Sequence, residues 1–114
     1  MVAEWRDERG GHDPPLLIAP CHLHRSDDEA WYVLEGALAF RVDDEELEVP
    51  AGAGVLVPAG SVHTWWNPQQ APARYLIVMT ARIARLVEAI HAAEDRSPEA
   101  MQTLFATYDS ELVG

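Results

Sequence analysis

Between Leu16 and Thr80 the chain is a succession of short strand-like runs, each stopped by turn-forming residues. Residues 16–25 read as one strand and 29–34 as the next. Glu35-Gly36 turns the chain into 37–42, and Asp43-Asp44 turns it into 46–49. Pro50-Ala51-Gly52 and Pro58-Ala59-Gly60 bracket a run at 55–57. Runs at 62–66 and 74–80 follow, separated by a loop at 67–72. Many short strands at near-regular spacing leave a β-sandwich or barrel as the architecture. The period changes after Thr80. Ile83, Leu86, Val87 and Ile90 recur at i, i+3, i+4 and i+7, the pattern of an amphipathic helix. Ser97-Pro98 reads as a helix cap followed by proline at the first helical position. Met101, Leu104, Phe105 and Tyr108 then carry the apolar stripe of a second helix. Residues 1–15, with Gly10-Gly11 and Pro14-Pro15, read as a loose arm or an edge strand. The expected organisation over 1–114 is a single domain: the arm at 1–15, an all-β core at 16–80 and two C-terminal helices at 81–114.

Four side chains inside this β pattern carry metal chemistry. His22 and His24 are two apart, so on a strand both leave the same face, and Cys21 leaves the other. Glu29 opens the next run, and His63 sits near the start of a later one. Three imidazole nitrogens and one carboxylate oxygen suit one divalent transition metal: iron, manganese, nickel, copper, cobalt or zinc. The set leaves open positions on a five- or six-coordinate metal, where a substrate oxygen or dioxygen can bind. Glu29 is the catalytic candidate, as a ligand or as a general base released from the metal.

The spacings around these residues resemble the two motifs of the cupin family. The first motif, His-x-His, four residues, Glu, six residues, Gly, is met by His22, His24, Glu29 and Gly36. The second, Gly, five residues, Pro-x-Gly, two residues, His, three residues, Asn, is met by Gly52, Pro58, Gly60, His63 and Asn67. Two positions depart from the pattern. Leu16 stands where the family usually has glycine, and Ala53 where it usually has aspartate. The resemblance implies a jelly-roll barrel (a double-stranded β-helix) with the metal inside, and usually a homodimer.

Strand alternation predicts the lining of that barrel. With Glu29 inward, Trp31 and Val33 follow it, while Tyr32 and Leu34 face away. Trp65 shares the face of His63 and Trp66 does not. Leu38, Phe40 and Val42 share an inner face, with Arg41 outside. Trp31, Val33, Phe40 and Trp65 are therefore the expected substrate-pocket residues. No arginine falls in phase with the ligands, Arg25 and Arg74 being the nearest. A phosphorylated substrate would need such a clamp, so the expected ligand is a small apolar or aromatic molecule bearing a metal-binding oxygen. Tyr32, Leu34 and Trp66, large and outward, call for cover by a second subunit or by the C-terminal helices, and a homodimer is expected.

Composition removes other classes. The net charge is −11 and nucleic acid is a poor partner for such a chain. All eight basic residues are arginine, so Schiff-base chemistry on a lysine is excluded. No apolar run approaches the ~20 residues of a membrane span. With one cysteine, Cys21, and no apolar signal region in the first residues, a cytoplasmic location is expected. The leading functional expectation is a metal-dependent oxygenase similar to flavonol- and diketone-cleaving cupins. Beside it stand a metal-dependent isomerase, cyclase or lyase, and a non-catalytic small-molecule-binding module.

Overall fold

The structure is a computed structural model and describes residues 1–113. Among the described residues the order is β1 (Val2–Asp7), β2 (Leu17–His24), β3 (Glu29–Glu35), β4 (Ala37–Val42), β5 (Glu45–Pro50), β6 (Gly54–Val57), β7 (His63–Trp66), β8 (Ala73–Val78), α1 (Ala81–Ala92), α2 (Pro98–Thr107) and β9 (Ser110–Leu112). The strands form two antiparallel sheets, ordered β1-β8-β3-β6 and β5-β4-β7-β2-β9. They face each other as a jelly-roll sandwich whose sheets are not closed into a continuous barrel. No helix among the described residues is long and apolar enough to cross a membrane.

Turn chemistry sets the registers. Gly36 joins β3 to β4 at φ 74°, and a Cβ there would run into the Pro72 carbonyl, so only glycine serves. Asp43 makes the β4–β5 turn at φ 53° and accepts a hydrogen bond from Val62 N at 3.0 Å. The arm resolves as an edge strand. β1 pairs along its whole length with β8, from Val2 opposite Val78 to Asp7 opposite Ala73.

The core lies between the sheets. Trp31, Val33, Tyr75 and Ile77 come from one sheet, and Leu38, Phe40, Val49 and Trp65 from the other. Trp31 meets Phe40 and Trp65 edge to face, with ring centroids 5.1 and 5.0 Å apart. Helix α1 starts at Thr80, whose hydroxyl accepts from Ile83 N at 3.2 Å, and it buries Ile83, Ala84 and Leu86. Arg82 forks onto Asp27 at 2.8 and 3.3 Å, tying α1 to the loop that precedes Glu29. Helix α2 starts as expected at Ser97, whose hydroxyl accepts from Ala100 N, with Pro98 in its first turn.

The outward residues differ from expectation. Tyr32 and Trp66 lie on different sheets, so Tyr32, Leu34 and Trp66 form no common patch. Trp66 is only 8% exposed, between its cross-strand neighbours Leu17 and Ala39. Alternation alone cannot say which sheet a strand joins, and that choice separated the two aromatics. The apolar surface lies instead on the outer face of the four-stranded sheet. There Val2, Val78, Ala30 and Leu56 align in one cross-strand row, and Leu76 and Tyr32 in the next.

Candidate metal centre

Strand β2 presents His22 and His24 on its inner face, as their spacing requires. His63 opens β7 directly opposite His22. Glu29 arrives from the facing sheet, at the first position of β3. All four side chains are buried, and their ligand atoms lie within 4.8 Å of one another. Ligands held at about 2.0–2.2 Å from a common metal sit at most about 4.4 Å apart, so a cation needs only a few tenths of an ångström of closure.

The hydrogen bonds around the imidazoles orient them. His22 Nδ1–H donates to the Pro20 carbonyl at 2.6 Å, and His63 Nδ1–H to the Ser61 carbonyl at 3.0 Å. Carbonyls only accept, so the proton of each neutral ring is on Nδ1. His24 Nδ1 lies 2.6 Å from Ser110 Oγ, whose own proton goes to the Tyr108 carbonyl; the serine oxygen therefore accepts from His24. Every Nε2 lone pair then faces inward. Glu29 Oε1 lies 3.2 Å from His24 Nε2 and 3.3 Å from His63 Nε2. With no proton between them these are acceptors facing acceptors, a costly arrangement in a buried site. A divalent cation among the four atoms resolves it, and the donor set fits one. Tethering the outer nitrogen to fix the inner one is how metal-binding histidines are aimed.

The electrostatics follow the same geometry. Burial, then the neighbouring His63, pushes His22 down to about 4, so it stays neutral and able to ligate. Burial works to raise Glu29, but the adjoining His24 and His63 side chains outweigh it and hold the carboxyl at about 2. The carboxylate is ionised at any ordinary pH.

A cavity of about 260 Å³ reaches this cluster from outside. Glu29 stands at its buried end, and Trp65, Tyr75, Ile77 and Ile18 line its walls. Trp65 Nε1–H donates to Tyr75 Oη at 3.3 Å, which satisfies the indole within the wall. Of the four expected lining residues, this cavity takes in Trp65. Trp31, Val33 and Phe40 point inward but are spent in packing: they are 2%, 0% and 0% exposed in the middle of the core. Arg25 and Arg74 pair with surface carboxylates, Glu111 and Glu35, and do not line the cavity. Phe105 of α2 sits edge-on to His22 with ring centroids 5.7 Å apart, closing the cluster from the helix side.

Ser110 is the functional residue that sequence reasoning missed. It belongs to a three-residue strand beyond both motifs, and no spacing marks it. Asp109, at φ 57°, reverses the chain out of α2 so that β9 can pair with β2 and set Ser110 opposite His24.

The chain can now be set beside known proteins. The family model described as "Cupin domain" matches residues 12–79. No curated protein matches the chain. Among solved structures, the TT1209 protein of Thermus thermophilus is 28% identical, with a TM-score of 0.58, over 68% of each chain. A cupin-superfamily sugar phosphate isomerase of Silicibacter pomeroyi is 33% identical, with a TM-score of 0.59, over 69% of this chain and 48% of that one. A predicted oxalate decarboxylase of Thermotoga maritima, 20% identical with a TM-score of 0.59 over 69% and 64%, shares the fold. The match spans between about half and two thirds of these proteins' lengths.

Proposed function

We propose that this chain, which belongs to the cupin family, holds one divalent transition metal through His22, His24, Glu29 and His63 and acts as an oxygenase on a small, largely apolar molecule bearing a metal-binding oxygen. The observation that carries this reading is the position of Glu29, which is both a member of the buried cluster and the deep end of an apolar cavity. The cavity is just below the ~300–1,000 Å³ common for small-molecule sites, so the ligand is small. The metal would supply a Lewis acid and a binding position for an oxygen atom. The chain's own residues do the rest. Trp65, Ile18 and Ile77 exclude water and orient the apolar body. Glu29, ionised and facing the ligand, is the group placed to take a proton from it.

Loading with iron, manganese, nickel or copper and measuring dioxygen uptake over flavonols, catechols and diketones tests the proposal. Uptake that needs both metal and Glu29 supports it. Metal-dependent turnover under anaerobic conditions overturns it in favour of an isomerase, cyclase or lyase. That second reading draws on the 33% identity to a protein described as a sugar phosphate isomerase. Ligand-dependent stabilisation without turnover would make the chain a binding module.

The same proposal includes a homodimer. The rows containing Val2, Val78, Leu56 and Tyr32 leave side chains 44–63% exposed on one sheet face, a surface that a second copy would cover. Sedimentation equilibrium of the protein and of Leu56→Asp reads it. A dimer that the substitution dissociates is expected, and a wild-type monomer at all concentrations ends the idea.

A further inference from the structure

The outer end of the cavity is built by residues beyond the segment that the cupin model matches. Trp5 comes from β1, His91 from α1, and Arg96 from the loop between α1 and α2. Arg96 and His91 bring polar groups, and Trp5 an aromatic ring, to a cavity whose other walls are largely apolar. Trp5 Nε1 is buried and has no hydrogen-bond partner among the described residues, so Trp5 presents its ring and not its N–H to the cavity. Its ring lies against His91, with centroids 5.5 Å apart. Arg96 donates through one terminal nitrogen to the Ile90 carbonyl at 2.6 Å, which holds the guanidinium at the end of α1. Glu94, Asp95 and Glu99 flank Arg96 in sequence. Among the described residues, though, no carboxylate lies within 4.0 Å of the guanidinium, and Asp95 accepts from Ser97 N instead. Most of the guanidinium's N–H groups are therefore left without a protein acceptor. His91 and Arg96 are exposed while Glu29 is 4% exposed, so the cavity runs from a cationic rim to the buried cluster.

We propose that Arg96 and His91 form a subsite for a terminal carboxylate, borne by a ligand whose other end reaches Glu29. Guanidinium and carboxylate match in charge and in planar geometry. A single guanidinium in a chain of net charge −11 suits a monoanion better than a phosphate dianion. The ligand class narrows from an apolar molecule to an amphipathic one: an oxygen-bearing head for the metal, an apolar body for the walls, and a carboxylate at the rim. This inference rests on the reading that the cavity is the ligand site, and it holds whether or not turnover follows.

The test uses zinc-loaded protein, since zinc is redox-inert and the probe survives the measurement. The probes are 3-(3,4-dihydroxyphenyl)propionate, whose catechol can meet the metal, and its primary amide. Calorimetric titration of the wild type is expected to show the acid binding about ten-fold tighter than the amide, the size of one charge-assisted pair. Arg96→Gln should bring the acid down to the level of the amide and leave the amide unchanged. Arg96 is exposed, so thermal unfolding serves only to confirm an intact fold. Equal affinity for acid and amide, or an advantage of the acid that survives Arg96→Gln, overturns the carboxylate subsite and leaves the cavity as a ligand site. Binding of neither probe to the zinc-loaded protein overturns both.

Discussion

The two ends of the cavity are built by opposite means. At the deep end, four buried side chains come from strands in fixed register, and each imidazole is tethered by its outer nitrogen. At the rim, three side chains come from an edge strand, a helix and a loop, and among the described residues only Arg96 of the three has a side-chain hydrogen bond to hold it. The deep end lies almost wholly inside the cupin segment, and the rim lies outside it. In the proposed reading the buried centre fixes the chemistry, and the rim selects the molecule that meets it.

Removing a ligand should have the largest effect on this contrast. His63→Ala is expected to reduce bound metal from about one ion per chain to less than a tenth of that, measured by elemental analysis after dialysis. Full occupancy in the variant would mean that the four residues are not the ligand shell. Ser110→Ala tests the tether alone, since it removes the acceptor of His24 Nδ1 without touching a ligand. Metal affinity should fall about 10- to 100-fold, read by competition with a chelator. An unchanged affinity would show that packing by itself aims His24.

Acidification probes the dryness of the deep end. In the folded, metal-free protein His22 takes its proton near 4, against 6.5 in an unfolded chain. Between those values the unfolded state binds more protons, so stability falls as pH falls through the window. From pH 7 to pH 5 the loss from this group is on the order of 2 kcal/mol, measurable by urea unfolding of metal-stripped protein. Glu29, held at about 2 against an ordinary 4.5, adds a further loss below 4.5 in the same direction. A flat profile between pH 7 and 5 would place His22 in contact with water. The smallest effect belongs to the rim. His91→Ala, at an exposed position, should change stability by less than about 0.5 kcal/mol and leave metal affinity untouched. A ten-fold loss of metal would show that the two ends are coupled.

The same contrast explains what could be read from the residues alone. His22 and His24 share a face because side chains alternate along a strand, and Glu29 and His63 stand at motif spacings. These are local facts, legible before any folding. The turn at Gly36 and the cap at Ser97 are local too. The patch expected from Tyr32 and Trp66 needed a sheet assignment that no local pattern contains, and Trp66 proved buried. Alternation puts Trp31 and Phe40 on the inner face, but facing inward does not distinguish a packed ring from a cavity wall. Only the distance between the sheets decides that. Trp5, His91 and Arg96 belong to three separate segments and become neighbours only when α1 docks, so their spacing in the chain carries no trace of the rim.

The tether from His24 to Ser110 spans 86 residues of chain. Contacts so distant in sequence are slow to form, because the entropy of closing the loop is lost before the contact returns anything. A folding chain can therefore pair β2 with β7, and so bring His22 to His63, while His24 still lacks its partner. A nick or a destabilising change in α2 or β9 would take the acceptor from His24 Nδ1 without altering any of the four clustered residues.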